Sequence, residues 1–203
     1  MWILGDSHVR RVAERILGTV GVQMDLEKFN YELTWKGRGG LLLRNTCSYL
    51  EELLLITSDR PQILLFHVGT NDLLNQSNQL IYQSIREVIQ YCGRWLPHVT
   101  IIWSAIFPRP YYRGADNQRA IKKKRAQINR SARNLVWKAG GKYLDFPYLE
   151  GNVGSSFRRD DIHLSASGYD YVANVIRYAL EFFYWFPLVI MYPPFNHGGV
   201  AMA

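Results

Sequence analysis

The 203-residue sequence is poor in cysteine and has no long uninterrupted apolar run. Its two cysteines, Cys47 and Cys92, are too few for the disulfide framework of a small secreted scaffold. No charged-then-apolar leader precedes the first apolar run, so we expect a reducing, cytoplasmic setting. The longest apolar stretch, FFYWFPLVIMYPPF, is broken by three prolines. It is too short for the roughly 20 residues of a spanning helix, so the sequence predicts no transmembrane segment.

Potential metal ligands are also scarce, with five histidines and 17 acidic residues in the whole chain. The pairs Asp6-x-His8 and Asn71-Asp72 have the spacing of ligand clusters in two-metal sites, which makes a metal-dependent phosphoesterase one alternative. His67 and His98 lie in or beside apolar runs and His197 lies in the tail, so ligands for a second metal are missing. We therefore expect neither a metal nor an organic cofactor.

The composition, with 48% hydrophobic and 20% charged residues, is that of one globular domain. Short apolar runs alternate along the chain with amphipathic segments of helix length, which predicts a mostly parallel sheet covered on both faces. The predicted strands are residues 2–4, 31–35, 62–68, 99–106 and 142–146, and the predicted helices are 9–17, 41–57, 79–95, 117–138 and 165–178. We expect one α/β domain over residues 1–181, followed by an aromatic tail over residues 182–203.

Four polar clusters follow the predicted strands, at residues 5–8 (GDSH), 37–40 (GRGG), 69–72 (GTND) and 160–163 (DDIH). Ligands of parallel sheets bind outside the carboxyl ends of the strands, where these clusters fall. Taken alone, Ser7 is a helix N-cap and each glycine a turn residue. Together the clusters supply a nucleophile, a base, an orienting carboxylate and anion-stabilising donors, which is the inventory of acyl transfer.

The spacing of Asp160 and His163 fits a base with its orienting acid. Residues three apart in a loop that turns toward a helix can face each other, so the Asp160 carboxylate can accept a hydrogen bond from His163 Nδ1. That bond leaves Nε2 free to take the Ser7 proton. Asp161 is the competing carboxylate, although adjacent side chains usually point apart.

The ordered set of GDS, a glycine-ended second turn, GTND and a carboxy-terminal Asp-x-x-His resembles the four blocks of the SGNH (GDSL-type) hydrolases. The resemblance extends over about residues 2 to 180. It implies a three-layer α/β/α sandwich with a five-stranded parallel sheet of flavodoxin-like strand order. One residue departs from the family's pattern, because Asp161 follows the acid where the family often has glycine.

The resemblance also implies a role for five residues. Ser7 matches the nucleophile, His163 the general base and Asp160 the orienting acid. The backbone N–H of Gly40, or of the adjacent glycine, and the side-chain amide of Asn71 match donors of the oxyanion hole, which the Ser7 N–H completes. The expected activity is that of a serine esterase acting on small acyl or acetyl esters without a cofactor.

A narrower resemblance rests on four segments of the sequence, ILGDSHVRR, HVGTNDL, WSAIFPRPYYRG and KKKRAQINRSARNL. These segments resemble SGNH domains of vertebrate retroelement-derived reading frames, including LINE-type first reading frames. The basic run Lys122, Lys123, Lys124 and Arg125 leaves a second alternative, a catalytically idle module that binds nucleic acid or anionic lipid weakly. The run also has the composition of a nuclear import signal. A solvated helix face is the simpler interpretation of the same residues.

Overall fold

A computed structural model describes residues 1–185 of the chain. Five strands alternate with the main helices, and two further short helices follow the last strand. The strands are β1 (Trp2–Gly5), β2 (Thr34–Gly37), β3 (Ile63–His67), β4 (Thr100–Ser104) and β5 (Lys142–Leu144). The helices are α1 (Ser7–Leu17), α2 (Thr46–Ile56), α3 (Asn78–Trp95), α4 (Gln118–Lys138), α5 (Pro147–Gly151), α6 (Val153–Ser156) and α7 (Ala166–Trp185).

All strand pairs are parallel, and the strand order is β2-β1-β3-β4-β5. In the register, Gly5 lies opposite Gly37 on one side and His67 on the other, so three strands end at one edge. Strand β1 is buried along its whole length, because helices cover both faces of the sheet. The predicted fold class, a five-stranded parallel sheet between helical layers, is confirmed.

The helices form two groups around this sheet. Helix α1 packs against α7, while α3 packs against both α2 and α4. Each helix turns its apolar stripe inward, as Val9, Val12 and Ile16 of α1 illustrate. The hydrophobic core extends from β1 through β3 and β4 into both helical groups.

Several element boundaries differ from the prediction. Strand β2 covers Thr34–Gly37, whereas residues 31–35 were predicted, and β4 and β5 end two residues earlier than predicted. The helix predicted from residue 41 begins only at Thr46, because residues 38–45 form a turn and a short 3₁₀ helix. Two short helices, α5 and α6, were not predicted. Helix α7 continues to Trp185, so the first four residues of the predicted tail belong to this helix. The rest of that tail, residues 186–203, lies outside the described residues.

Two expectations from the composition can be compared with residues 1–185. No helix within this range is long and apolar enough to cross a membrane. Cys47 and Cys92 are both free thiols. Burial raises the pKa of Cys47 to about 11 and that of Cys92 to about 12, so neither is a reactive thiolate at neutral pH.

Candidate active site

Ser7 is the first residue of α1 and directly follows β1 by way of Asp6. Asp6, and not Ser7, is the N-cap of this helix, since its Oδ1 accepts a hydrogen bond from the His8 N–H at 2.9 Å. The corner is tight, because a Cβ on Gly5 would lie 2.2 Å from the His67 carbonyl oxygen. The half-buried Ser7 hydroxyl is therefore not used as a cap and stands at the carboxyl edge of the sheet.

Asp160 and His163 form a hydrogen-bonded pair in the loop before α7. The Nδ1 atom of His163 lies 2.8 Å from Asp160 Oδ2, which is the contact that their spacing predicts. Asp160 Oδ1 also accepts the backbone N–H groups of Ile162 at 2.9 Å and His163 at 2.8 Å. The carboxylate thus fixes both the loop backbone and the imidazole orientation, and Nε2 is the ring nitrogen left for chemistry.

These hydrogen bonds also determine the charge of Asp160. Partial burial raises the pKa of this carboxyl, but the backbone N–H and ring of His163, together with the Ile162 N–H, outweigh burial and hold the pKa below its usual range. Asp160 is therefore ionised at neutral pH and can stabilise a positive charge on the imidazole.

Asp161 has a left-handed backbone with φ of 60°, and its N–H closes a turn onto the Arg158 carbonyl at 3.0 Å. Glycine adopts this conformation freely, while aspartate tolerates it better than most residues do. The left-handed backbone at position 161 explains why a glycine fits at the position after Asp160. The ring of His163 is hydrogen-bonded to Asp160 and not to Asp161.

The Ser7 corner and the histidine loop lie side by side. The rings of His8 and His163 are 5.8 Å apart, and His8 directly follows Ser7 in the chain. His8 is buried, and burial lowers its pKa well below the usual value, so it is neutral. Its Nδ1 lies 3.3 Å from the Tyr169 hydroxyl. His8 is thus a neutral side chain that lies between the core and the site.

Gly40 occupies a turn after β2 that is closed by the Leu41 N–H on the Arg38 carbonyl at 3.2 Å. Its φ is +72°, which glycine adopts freely and other residues rarely adopt. Gly39 is not among the residues with positive φ. The turn therefore needs glycine at position 40, the position to which the resemblance assigns an oxyanion donor.

Asn71 follows β3, and its side chain links this loop to the Gly40 turn. The Nδ2 atom donates to the Leu41 carbonyl at 3.1 Å, which leaves the second hydrogen of the amide for another acceptor. A second hydrogen bond joins the same two loops, since Asp72 Oδ2 accepts the Leu43 N–H at 3.1 Å. The loops after β2 and β3 are thus joined beside Ser7.

A second histidine pair lies in the core, at the end of β3. The Nδ1 atom of His67 is 2.8 Å from Ser104 Oγ on the neighbouring strand β4. Burial lowers the pKa of His67 to about 3, so the ring is neutral. Phe107 stacks on it with ring centroids 4.1 Å apart. The sequence did not predict this contact, because His67 and Ser104 are far apart in the chain and come together only through the pairing of β3 with β4.

Arg109 is the charged residue near the site that the sequence did not single out. It lies in the loop between β4 and α4, is partly buried, and interacts electrostatically with Asp6 and Asp160. Burial lowers the pKa of its guanidinium despite these negative charges. The only sequence signal was its place between Pro108 and Pro110, which stiffens the backbone at this position.

The ligand pairs expected for a metal site have other contacts. Asp6 is buried and caps α1, while Asp72 is buried and binds the Leu43 N–H. Across residues 1–185, no group of three histidine, cysteine, aspartate or glutamate residues is arranged to hold a metal ion. The phosphoesterase alternative thus lacks a ligand set in this part of the chain.

The basic run in α4 is less available than the sequence suggested. Arg125 is buried, and its guanidinium lies 2.7 Å from Glu150. Lys124 is half-buried and donates to a loop carbonyl. Lys122 and Lys123 are exposed. Two of the four residues proposed to bind nucleic acid or lipid therefore serve the fold instead.

Comparison with known proteins gives one family and a set of structures. The model of the GDSL-like Lipase/Acylhydrolase family matches residues 4–171. Among curated proteins, no sequence matches the chain.

The structural matches cover most of both chains. A Bacteroides fragilis protein described as an acylhydrolase has a TM-score of 0.73 at 14% identity, over 90% of this chain and 86% of its own. The acetyl xylan esterase AlAXEase has a TM-score of 0.70 at 19% identity, over 88% and 98%. An acetyl-xylooligosaccharide esterase of Geobacillus has a TM-score of 0.63 at 15% identity, over 88% and 92%. Identities this low establish a shared fold alone.

Proposed function

Because this chain belongs to the GDSL-like lipase/acylhydrolase family, we propose that it is a serine esterase of small acyl or acetyl esters. Ser7 is the proposed nucleophile, His163 the base and Asp160 the orienting acid. The observation that carries the proposal is the 2.8 Å contact between His163 Nδ1 and an ionised Asp160, directly beside the Ser7 corner. An imidazole whose Nδ1–H donates to a carboxylate has Nε2 as its proton acceptor.

In the proposed reaction, Ser7 Oγ attacks the ester carbonyl carbon while His163 Nε2 takes the hydroxyl proton. The carbonyl π electrons move to oxygen and form a tetrahedral oxyanion. Collapse of this intermediate breaks the bond to the alcohol oxygen, which receives the proton from His163. Water then repeats the sequence on the acyl-enzyme, releasing the acid and free Ser7.

The proposed oxyanion hole consists of the Ser7 and Gly40 backbone N–H groups and the Asn71 side-chain amide. Three features support it: the positive φ of Gly40, the free second hydrogen of Asn71 Nδ2, and the link from Asn71 to the Leu41 carbonyl. Donors fixed before the substrate arrives stabilise developing charge without reorganisation.

A small acyl group is supported by the names of two structural matches. One is an acetyl xylan esterase and the other an acetyl-xylooligosaccharide esterase, so both act on acetyl esters. For this chain we also propose membership of the retroelement-associated subgroup, which the four sequence segments quoted above support. Weak nucleic-acid or lipid binding through α4 has less support, since only Lys122 and Lys123 of the basic run are exposed.

The test is hydrolysis of 4-nitrophenyl esters of increasing acyl length by the wild type and by Ser7→Ala. We expect the highest kcat/KM for acetate or another short chain, and no turnover above background in the variant. A fluorophosphonate should label the wild type at Ser7. Labelling or hydrolysis that survives Ser7→Ala would remove the assignment.

A further inference from the structure

Arg109 lies in a fifth segment at the edge of the sheet that carries the proposed active site. The loop begins after β4, at the same edge of the sheet as the Ser7 corner. Arg109 is flanked by Pro108 and Pro110, and a following proline restricts a residue to extended backbone conformations. The backbone that carries this arginine is therefore stiffer than that of an ordinary loop.

The charge of Arg109 acts on residues of both the Ser7 corner and the histidine loop. It interacts electrostatically with Asp6 and His8, the residues on either side of Ser7, and also with Asp160, the partner of the base. Because the loop that carries Arg109 leaves β4 at the carboxyl edge of the sheet, this charge acts on the same edge at which an ester would bind.

No side chain among residues 1–185 neutralises Arg109 directly. Neither Asp6 nor Asp160 comes within the 4.0 Å of an ion pair, and the buried Nε has no hydrogen-bond partner in this range. Its nearest ring contact is Tyr112, whose centroid is 5.8 Å from the guanidinium carbon. Partial burial without a paired anion is costly for a cation, as the lowered pKa of Arg109 reflects.

Two further arginines contribute positive charge to the same region. Arg11, on α1 one turn beyond Ser7, acts on His8 and Tyr169, and Arg158, in the loop before His163, acts on Tyr169. The Nε of Arg11 is also buried without a hydrogen-bond partner within the described residues. Arginines from three segments thus contribute positive charge to the region of His8 and Tyr169, beside the ionised carboxylate of Asp160.

We propose that Arg109 binds a carboxylate or phosphate group of the substrate, so that the preferred substrates are anionic esters. The guanidinium presents its N–H groups as a planar fork that matches either anion in a bidentate manner. An anion of the substrate would supply the partner that the chain does not. This inference rests on the proposed esterase function and specifies its substrate class.

The test uses two matched pairs of esters that differ by one charge. The first pair is 4-nitrophenyl hydrogen succinate and its methyl ester, with the charge on the acyl side. The second is 4-acetoxybenzoate and its methyl ester, with the charge on the alcohol side. For each pair, the ratio of kcat/KM for the charged over the neutral ester is measured, with Ser7→Ala supplying the background rate.

In at least one pair we expect the wild type to favour the charged ester, and Arg109→Gln to lower that ratio by about tenfold or more. Arg113→Gln is the matched control, because Arg113 is exposed in the same loop, and it should leave the ratio unchanged. A ratio near one in both pairs, or a preference that Arg109→Gln retains, overturns the proposal.

A second measurement covers the case in which Arg109→Gln does not fold. In the wild type, succinate and inorganic phosphate should each inhibit hydrolysis of the neutral esters competitively, whereas the uncharged succinamide should not. Absence of inhibition by both anions overturns the proposal. If Ser7→Ala hydrolyses both neutral esters as well as the wild type does, the serine mechanism fails. Titration of succinate and inorganic phosphate into the wild type and Arg109→Gln then tests anion binding separately, and equal affinities overturn the proposal.

Discussion

The structure contains two histidine–oxygen contacts of the same length in different surroundings. His163 Nδ1 is 2.8 Å from Asp160 in a loop at the sheet edge, and His67 Nδ1 is 2.8 Å from Ser104 inside the sheet. The His163 side chain is 20% exposed and lies beside the Ser7 corner, whereas His67 is 4% exposed and stacked on Phe107.

The comparison shows that contact length does not identify a catalytic pair. An ionised carboxylate stabilises an imidazolium, so His163 can accept a proton during a reaction. A neutral hydroxyl in a desolvated core gives no such stabilisation, and burial lowers the pKa of His67 to about 3. The first pair is suited to proton transfer, and the second fixes β3 to β4.

The largest difference in kcat between variants should appear when Ser7 and Ser104 are each replaced by alanine. Ser7→Ala should lower kcat by at least about 10⁴-fold, since it removes the proposed nucleophile. Ser104→Ala should change kcat by no more than about threefold, while lowering the free energy of unfolding by about 1–3 kcal/mol. Steady-state kinetics and urea unfolding measure both. A loss of kcat in a folded Ser104→Ala protein comparable to that of Ser7→Ala would assign catalysis to the core pair.

The two carboxylates beside His163 should differ nearly as strongly. Asp160→Asn should lower kcat by up to about 10⁴-fold, because it leaves the imidazole in the wrong tautomer. Asp161→Asn should cost far less, since asparagine also tolerates the left-handed backbone at this position. Hydrolysis at several pH values, with circular dichroism to verify folding, ranks the two. If Asp161→Asn is the more damaging change, the catalytic acid must be reassigned.

The proposed oxyanion donors should contribute less than the proposed proton-transfer pair. Asn71→Ala should lower kcat by about a hundredfold or more with little change in KM, because the amide binds the tetrahedral oxygen more strongly than the ground-state carbonyl. Asn75→Ala, in the same loop, is a suitable control. An increase in KM with unchanged kcat would make Asn71 a substrate-binding residue only.

The buried histidines should make the protein less stable in acid. Their folded-state pKa values lie below the ordinary value of 6.5, so the unfolded state binds protons that the folded state excludes. Stability is complete above about pH 6.5 and is lost as the pH falls. For His67, the loss between pH 7 and pH 5 is about 2 kcal/mol, and His8 acts in the same direction. Asp6, whose pKa burial raises to about 6, acts oppositely, because the folded state binds its proton first.

Urea unfolding at the two pH values measures this effect. His67→Asn, in which the amide nitrogen can replace Nδ1, should show a loss smaller by about 2 kcal/mol than that of the wild type. The exposed His98 provides the control, and His98→Asn should behave like the wild type. An unchanged loss in His67→Asn would mean that the ring is not excluded from protonation.

Much of the fold could be predicted because apolar runs and amphipathic segments alternate regularly, and parallel strands then place their carboxyl ends together. The four polar clusters meet at one edge for the same reason. The contact of Asp160 with His163 follows from local spacing. The start of α2 could not be predicted in this way. The Leu-rich run that begins at residue 41 has a helix-like pattern, although the chain there is still leaving the turn at Gly40.

Other features depend on tertiary packing that spacing does not reveal. Asp6 replaces Ser7 as the helix cap because the corner turns one residue earlier than a simple cap pattern suggests. The sequence predicts that Arg125 belongs to a basic surface. In the structure it is buried and paired with Glu150, 25 residues away in the chain. Arg109 shares no motif with the site, and only the folded chain brings it near Asp160.

The hydrogen bond between the loops after β2 and β3 has a consequence for how this site can vary. The acceptor for Asn71 is the main-chain carbonyl of Leu41, an atom present whatever side chain position 41 carries. Substitution at that position can therefore alter packing without deleting the acceptor. Loss of the asparagine, by contrast, removes both a donor and the tether of the Gly40 turn. The link therefore depends on the side chain at position 71 but only on the main chain at position 41, so position 41 has no side-chain signature that a sequence could reveal.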